Sequence, residues 1–352
     1  MVFEVEHRVE AGEDLLLASL ASRLPSGEGA PGAIVELLVT DRDEATVSRA
    51  VRELDFSAFP ELYDGVCVTE DADLDIRCSL NMIHTARWMP GADLLVASDT
   101  SNSRILWIRP DWGTRVGVVE SVLEVGHPDW QKYRYPNGIH LWEEDGRVLM
   151  LSTFKSANAA DVARANTGRV VLWDVSDPYA PVGLWAFPER GYLAAVHNAI
   201  VAEVGGVRHL LYAHSLGQAS DWMAETGGSV GVALYNGLDV APTYLGDGIL
   251  PSSEDAFGFL REVEPMPDGE RLLVLDSGCQ AGGDCGTPPG AAYVRLPSLS
   301  PSGLGGAFSP EHEDQHWFTV ELEDLRTHKA LHAPYEADAI PRAALGKGLS
   351  GG

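Results

Sequence analysis

The clearest copy of a repeated unit in this chain reads His84-Thr-Ala-Arg-Trp-Met-Pro-Gly-Ala-Asp-Leu-Leu-Val-Ala-Ser-Asp99. It begins with a polar residue and an extended stretch, turns at Pro90-Gly91, and continues as an apolar strand that ends at Asp99. A second apolar strand, 104–108, follows a short polar turn. Pro and Gly favour tight turns, and the Leu- and Val-rich segments favour strands. The unit therefore predicts an antiparallel meander.

The same layout returns three more times along the chain. The later copies begin at Asn137, His197 and Glu262. Their second strands are Arg169–Trp173, Val230–Tyr235 and Ala291–Leu296. A repeat of roughly 45 to 65 residues that contains only strands and turns is typical of β-propeller blades. We therefore expect an all-β protein, a β-propeller of five or six four-stranded blades.

The first part of the chain does not follow this repeat. Short strands are expected at 3–7, 15–24 and 33–40, and the spacing of apolar residues after Asp41 predicts a short helix up to Leu54. Residues 1–62 are therefore predicted to form a small N-terminal β-sandwich-like segment. The propeller is predicted to span 63–345, followed by a flexible tail at 346–352.

Composition limits the classes of partner. The net charge is −27, and 45% of the residues are hydrophobic. An acidic surface repels phosphate backbones and anionic membranes, so we expect no nucleic-acid partner. No apolar run approaches the length of about 18 residues that a transmembrane helix needs. A small-molecule ligand is the expected partner.

The four cysteines form two pairs that are close in sequence, Cys67 with Cys78 and Cys279 with Cys285. Neither pair has the spacing of a zinc knuckle, so we predict two disulfides. Persistent disulfides favour an extracytoplasmic location: periplasmic, secreted or surface-anchored. The first residues lack the charged and apolar regions of a signal peptide, so no leader is visible in this chain.

Propeller geometry predicts where a site would lie. The first strand of each blade surrounds the axis, and the starts of these strands share one face with the loops between the second and third strands. His84, Asn137, His197 with Asn198, and Glu262 are therefore expected to point into a common central funnel. Long loops on one face of a rigid ring usually form a binding site.

The segment from His84 through Pro90-Gly91 and Asp99 to Asn102-Ser-Arg104-Ile resembles the blades of bacterial arylsulfate sulfotransferase-like propellers. His197-Asn198-Ala-Ile and Met266-Pro-Asp-Gly269 are similar to further copies, and the resemblance covers about residues 80–300. It also implies that the loop closed by Cys279 and Cys285 corresponds to a disulfide near the active centre of that family.

The resemblance implies transfer of a sulfuryl group between phenols through a histidine nucleophile, without a nucleotide cofactor. Neutral imidazole is nucleophilic near pH 7, and arginine can hold sulfate oxygens. His84, His197 and Arg104 are the expected catalytic residues, and this prediction requires them to meet at one point. The expected substrate-binding residues are Asn137, Asn198, Glu262 and Asp99. Further histidines that could take part are His140, His214, His328 and His332.

Two alternatives come from other functional classes. Pro136-Asn-Gly-Ile139 also resembles the strand opening of calcium-dependent lactonase and phosphotriesterase propellers. That resemblance implies a Ca²⁺ site of oxygen ligands at the axis, formed by Asn137, Asn198, Glu262 and Asp276. The second alternative is a propeller that binds a ligand or protein partner without catalysis, because a fold alone does not fix function.

Overall fold

The computed structural model contains twenty strands, β1 to β20, and no helix in the described part of the chain. It describes residues 2–10, 13–20, 33–42, 45–56, 80, 83–100, 102–124, 134–156, 168–188, 193, 196–204, 206–214, 229–247, 260–265, 271–276, 290–295 and 317–318. These strands pair into five four-stranded antiparallel sheets, each of which uses four strands that are consecutive in sequence.

The N-terminal sheet contains β1 (Val2–Glu10), β2 (Glu13–Leu20), β3 (Ala33–Arg42) and β4 (Ala45–Glu53). The first blade contains β5 (Ile83–Trp88), β6 (Leu95–Asp99), β7 (Arg104–Asp111) and β8 (Val116–Glu124). The second contains β9 (Arg134–Glu144), β10 (Arg147–Ser156), β11 (Arg169–Asp174) and β12 (Val182–Phe187). The third contains β13 (Val196–Val204), β14 (Val207–His214), β15 (Ser229–Leu234) and β16 (Thr243–Asp247). The fourth contains β17 (Leu260–Pro265), β18 (Arg271–Asp276), β19 (Gly290–Arg295) and β20 (Trp317–Phe318).

The all-β propeller predicted from the repeat is confirmed, with four blades between β5 and β20. The described residues do not show the predicted five or six blades. The N-terminal sheet is a single meander built like a blade, and it packs against β5. The predicted boundary near residue 62 and the tail at 346–352 lie outside the described residues.

The helix predicted for 41–54 is wrong, because this segment is mostly strand β4. Thr46, Val47 and Val51 are β-branched and favour an extended backbone. The pairing of β4 with β3 is also supported by a contact between the Arg52 guanidinium and the buried Glu36 carboxylate. Sheet pairing therefore outweighs the roughly helical spacing of the apolar residues.

Apolar side chains fill the spaces between consecutive sheets. One cluster joins Leu17, Ile34 and Leu54 of the N-terminal part to Leu95 and Leu106 of the first blade. The opposite face of the first blade, including Trp107, packs against Trp173 of the second blade. A third cluster joins the second and third blades. Because successive side chains of a strand point to opposite faces, each of the first two blades contributes to two of these clusters.

Each of the five first strands contains one extra residue relative to its partner strand. In β5 the register shifts between Ile83 and Ala86, so that His84 and Thr85 lie opposite Ser98. The shifts in β1, β9, β13 and β17 fall at the corresponding place. Such β-bulges redirect side chains and are common next to active sites. By register, the bulge residue is Phe3, His84, Asn137, His197 or Arg261 in the five sheets.

A hydroxyl group on the second strand links each of the first three sheets to the next. Ser19 donates a hydrogen bond to the carbonyl of His84 (2.9 Å), and Ser98 donates to the carbonyl of Asn137 (2.8 Å). Thr153 donates to the carbonyl of His197 (2.5 Å). These bonds fix the height of three bulge residues in the ring. They also show that the N-terminal sheet meets the first blade as the blades meet one another.

Candidate active site at the propeller axis

The bulges bring two histidines from non-adjacent blades together. The ring centroids of His84 and His197 lie 5.5 Å apart, across the intervening second blade. Both side chains are buried, at 1% and 0% exposure. The sequence prediction that these two residues share a central position is therefore consistent with the geometry.

Arg261 is a polar neighbour of His197. Its Nη1 lies 2.8 Å from Nε2 of His197 and 3.4 Å from Nδ1. Because a guanidinium can only donate, Nε2 of His197 acts as the acceptor. The repeat in the sequence predicts that Glu262 is equivalent to His84, but the register gives that position to Arg261, and Glu262 is the next residue. A cation thus occupies the ring position at which a carboxylate was expected.

Below the bulge residues, a second group of charged side chains lies near the axis. Nη2 of Arg87 lies 3.5 Å from Oε1 of Glu262 and 3.7 Å from Oε2 of Glu264. Arg87 belongs to β5 and the two glutamates belong to β17, so this ion-pair group joins the first and fourth blades. Glu262 is fully buried, and its pairing with Arg87 offsets the cost of burying its charge.

His140 lies at the same level as Arg87, three residues after the bulge residue of β9. Loss of water around the imidazole and, to a smaller extent, the positive charge of Arg87 together lower the pKa of His140 to about 3. The side chain is therefore neutral at physiological pH. Because His140 is neutral, Arg87 carries the positive charge at this level, among the described residues near the axis.

Asn137 and Asn198 have different surroundings. The Asn198 amide makes two hydrogen bonds to the backbone of Val263, accepting from N–H (3.0 Å) and donating to the carbonyl (3.2 Å). It links the third blade to the fourth, where Ala213 supplies no hydroxyl. The Asn137 side chain is fully buried, and neither its Oδ1 nor its Nδ2 has a hydrogen-bond partner in the described structure.

Arg104 and Asp99 lie in a turn of the first blade. Nε of Arg104 donates to Oδ2 of Asp99 at 2.7 Å, and Nδ2 of Asn102 donates to the same oxygen at 2.9 Å. These bonds close the connection between β6 and β7. Of these three predicted catalytic residues, the structure brings His84 and His197 together, and the described contact of Arg104 is with Asp99. The bond between Asp99 and Arg104 stabilises the blade, and the catalytic role of Arg104 stays a prediction.

Several other predicted residues lie outside the part of the chain whose side chains are described. They are Cys67, Cys78, Cys279, Cys285, Asp276, His214, His328 and His332. Within the described side chains, no group of three or more His, Cys, Asp or Glu residues could hold a metal ion. In the same part of the chain, no helix has the length and hydropathy needed to span a membrane.

Sequence reasoning missed Arg261, Arg87 and the hydroxyl links. A four-residue pattern marks the bulges: an apolar residue, two mostly polar residues and a second apolar residue, as in Val196-His-Asn-Ala199 and Leu260-Arg-Glu-Val263. Aligning the copies on the apolar pair would have placed Arg261 with His84. The positions three residues after His84 and Arg261 would then have identified Arg87 and Glu264.

The arrangement has the parts needed to bind and attack a compound that carries an oxyanion. It combines two close imidazoles, a guanidinium hydrogen-bonded to one of them, and a buried amide between their blades. Donors and positive charge act strongly where water is excluded. All these side chains are buried, so water is largely excluded from them.

The chain matches no sequence family and resembles no curated protein in sequence. Several solved structures are similar to the chain at low sequence identity. A GH93 α-L-arabinofuranosidase of Fusarium graminearum, in complex with arabinobiose, is 13% identical, with a TM-score of 0.51 over 96% of this chain and 83% of that one. A putative 6-phosphogluconolactonase from Bacteroides uniformis is 12% identical, with a TM-score of 0.45 over 89% and 69%. The periplasmic gluconolactonase of Pseudomonas aeruginosa is 12% identical, with a TM-score of 0.44 over 82% and 64%. At these identities the likeness concerns the fold alone.

Proposed function

We propose that this propeller is an enzyme that transfers a sulfuryl group between phenolic compounds, with His84 as the nucleophile. The observation that carries the proposal is the meeting of His84 and His197 at the axis, with Arg261 hydrogen-bonded to His197. Two imidazoles and a guanidinium are suited to an oxyanion with several oxygens, such as a sulfate ester. Arg261 takes the role that the sequence had assigned to Arg104.

His84 is the better nucleophile of the two histidines. Nε2 of His197 already accepts a hydrogen bond from Arg261, so its lone pair is engaged. A ring nitrogen of His84 forms a bond to sulfur, and the bond between sulfur and the aryl oxygen breaks with its electron pair on that oxygen. An acceptor phenol then attacks the sulfur, the nitrogen–sulfur bond breaks with its electron pair returning to the ring nitrogen of His84, and the proton of the acceptor passes to the released phenolate.

The reaction is tested with a chromogenic aryl sulfate and a phenol acceptor. We expect His84→Ala to abolish transfer, and His197→Ala and Arg261→Gln to lower kcat/KM by about 100-fold or more, as loss of a transition-state contact does. His209→Gln is the matched control, since His209 is also buried but bonds to the backbone of Val207 away from the axis. Full turnover by His84→Ala would rule out the mechanism.

Arg104→Lys separates this mechanism from the version predicted from sequence. Because Arg104 is bonded to Asp99 within its blade, the variant is expected to lose stability rather than catalytic rate. Loss of turnover in a variant that folds normally and binds substrate normally would show that Arg104 takes part in the chemistry after all.

Hydrolysis of a lactone at a calcium site is the second candidate. It is favoured by the free Oδ1 of Asn137 and the buried carboxylate of Glu262. Among the similar structures are a putative 6-phosphogluconolactonase and a periplasmic gluconolactonase. Against it, the Asn198 amide is used by Val263 and Arg87 lies next to Glu262, where a cation would be repelled. A rise in melting temperature with Ca²⁺, reversed by a chelator, would favour this candidate.

We also propose that the N-terminal sheet is a fifth blade of the ring, since its bulge and its Ser19 link follow the pattern of the other blades. An extracytoplasmic location and the two disulfides remain predictions. They are tested by mass spectrometry of the protein from its native compartment, before and after reduction. If neither aryl sulfates nor lactones are turned over, a ligand-binding propeller without catalysis is the remaining assignment.

A further inference from the structure

The Asn137 side chain has an amide that the protein leaves unused. It is fully buried, and neither Oδ1 nor Nδ2 has a hydrogen-bond partner in the described structure. Each buried polar group without a partner destabilises a fold, so native proteins contain few of them. An amide with both ends open, at the level of two histidines and an arginine, is best explained by a ligand that binds both ends.

The backbone holds this amide in place. The carbonyl of Asn137 accepts a hydrogen bond from Ser98, and the next residue, Gly138, donates its N–H to Thr153 at 2.9 Å. A Cβ atom at Gly138 would lie 2.7 Å from Cα of Asn198, so β9 and β13 are in close contact. With its backbone fixed on both sides, Asn137 keeps its side chain in the ring position between His84 and His197.

The chemistry of an amide limits the ligand. A simple anion would use only Nδ2, and a cation would use only Oδ1. Using both ends requires a group that offers a donor and an acceptor side by side, each within about 3 Å of its end of the amide. Two hydroxyls on adjacent carbons meet this requirement. Because each hydroxyl can donate or accept, a vicinal diol also fits the amide in either of its two orientations.

We infer that Asn137 recognises two adjacent oxygens of the substrate, and that the substrate is a catechol-type aromatic diol or its monosulfate. The choice of an aromatic diol rests on the proposed sulfuryl transfer between phenols. In the monosulfate, Nδ2 of Asn137 donates to the ester oxygen, which becomes negatively charged as it leaves, and Oδ1 accepts from the neighbouring hydroxyl. In the free diol, the two hydroxyls take the same positions.

The test compares catechol with resorcinol, which has the same atoms but places its hydroxyls on non-adjacent carbons. We expect the wild-type protein to bind catechol at least tenfold more tightly by titration calorimetry. In Asn137→Leu, which preserves volume and removes both polar ends, the two compounds are expected to bind within twofold of each other. Asn137→Gln, which displaces the amide, serves as a second variant and is expected to lose the preference as well.

Arg261→Gln tests this inference separately from the proposed function. The guanidinium is proposed to hold sulfate oxygens, and neither catechol nor resorcinol carries a sulfate. A catechol preference that persists in Arg261→Gln and disappears in Asn137→Leu supports the inference, even if aryl sulfates are not turned over. Equal binding of catechol and resorcinol by the wild type would overturn it, and would mean that Asn137 holds water only. Turnover of phenyl sulfate and catechol sulfate at equal kcat/KM would also overturn it, while leaving sulfuryl transfer intact.

Discussion

Replacement of Thr153 by valine tests whether the hydroxyl links hold the ring of bulge residues in place. The Thr153 hydroxyl accepts from the N–H of Gly138 (2.9 Å) and donates to the carbonyl of His197 (2.5 Å), and all three groups are buried. Valine has nearly the same shape, so no cavity forms. Two buried backbone groups then lose their hydrogen bonds to the hydroxyl.

Each buried backbone group without a partner costs about 1–3 kcal/mol, so Thr153→Val is expected to lower the free energy of unfolding by about 3 kcal/mol. Thr243→Val is the matched control. Its hydroxyl also accepts a hydrogen bond, from Asn236, but the residue is exposed and water can replace the bond. The control is expected to change stability by less than about 0.5 kcal/mol.

Urea unfolding followed by tryptophan fluorescence measures both variants. Because the His197 carbonyl loses its donor, kcat for the proposed transfer is also expected to fall in Thr153→Val. Ser98→Ala should behave similarly, since Ser98 accepts from Thr85 and donates to the carbonyl of Asn137. A loss in Thr153→Val no larger than that in Thr243→Val would refute the idea that these hydroxyls link the blades.

Three further outcomes follow from the described contacts. Gly138→Ala is expected to cost more than about 2 kcal/mol in urea unfolding, because its Cβ would overlap backbone atoms of the next blade at 2.7 Å; a neutral result would contradict the close approach. His140 has a folded-state pKa lowered to about 3, so its contribution to stability is complete above about pH 6.5 and is lost as the pH falls. Between pH 7 and 5 the wild type should therefore lose about 2 kcal/mol more than His140→Gln, and equal losses would contradict this. Arg52→Met removes the guanidinium from the buried Glu36 carboxylate and is expected to lower the free energy of unfolding by about 3 kcal/mol at pH 7. Adding Glu36→Gln to Arg52→Met should reduce this loss. Equal stability of the single and the double variant would contradict a role for the ion pair.

The architecture was predictable because turn residues and alternating apolar residues mark each copy of the blade repeat. Pro90-Gly91 marks a turn, and Gly91 has a φ of 68°, which glycine adopts readily. The predicted limits of the strands on either side of this turn lie close to the observed ones. Segment 41–54 was predicted incorrectly because the spacing of its apolar residues is roughly helical. Its strand conformation results from pairing with β3, which the spacing within the segment does not reveal.

The candidate site was predictable only in part, because one extra residue per strand decides which side chain faces the axis. His84, Asn137 and His197 were identified correctly as equivalent positions, but a shift of one residue exchanged Glu262 for Arg261. Arg104 was assigned to the site because its sequence context matched a known blade pattern. In the structure this segment forms a turn in which Asp99 accepts a hydrogen bond from the Arg104 guanidinium, a contact that the blade pattern alone does not reveal.

The recurring bulge has a consequence for how such a ring can change its chemistry. Hydrogen-bonded pairing continues on both sides of the extra residue, and the bonds that fix its height use its carbonyl rather than its side chain. The side chain at this point is thus independent of the scaffold that holds it. Histidine, asparagine and arginine occupy the position in different blades of this one chain. New ligand specificities can therefore be engineered by exchanging residues at these few points, with the rest of the sheet left unaltered.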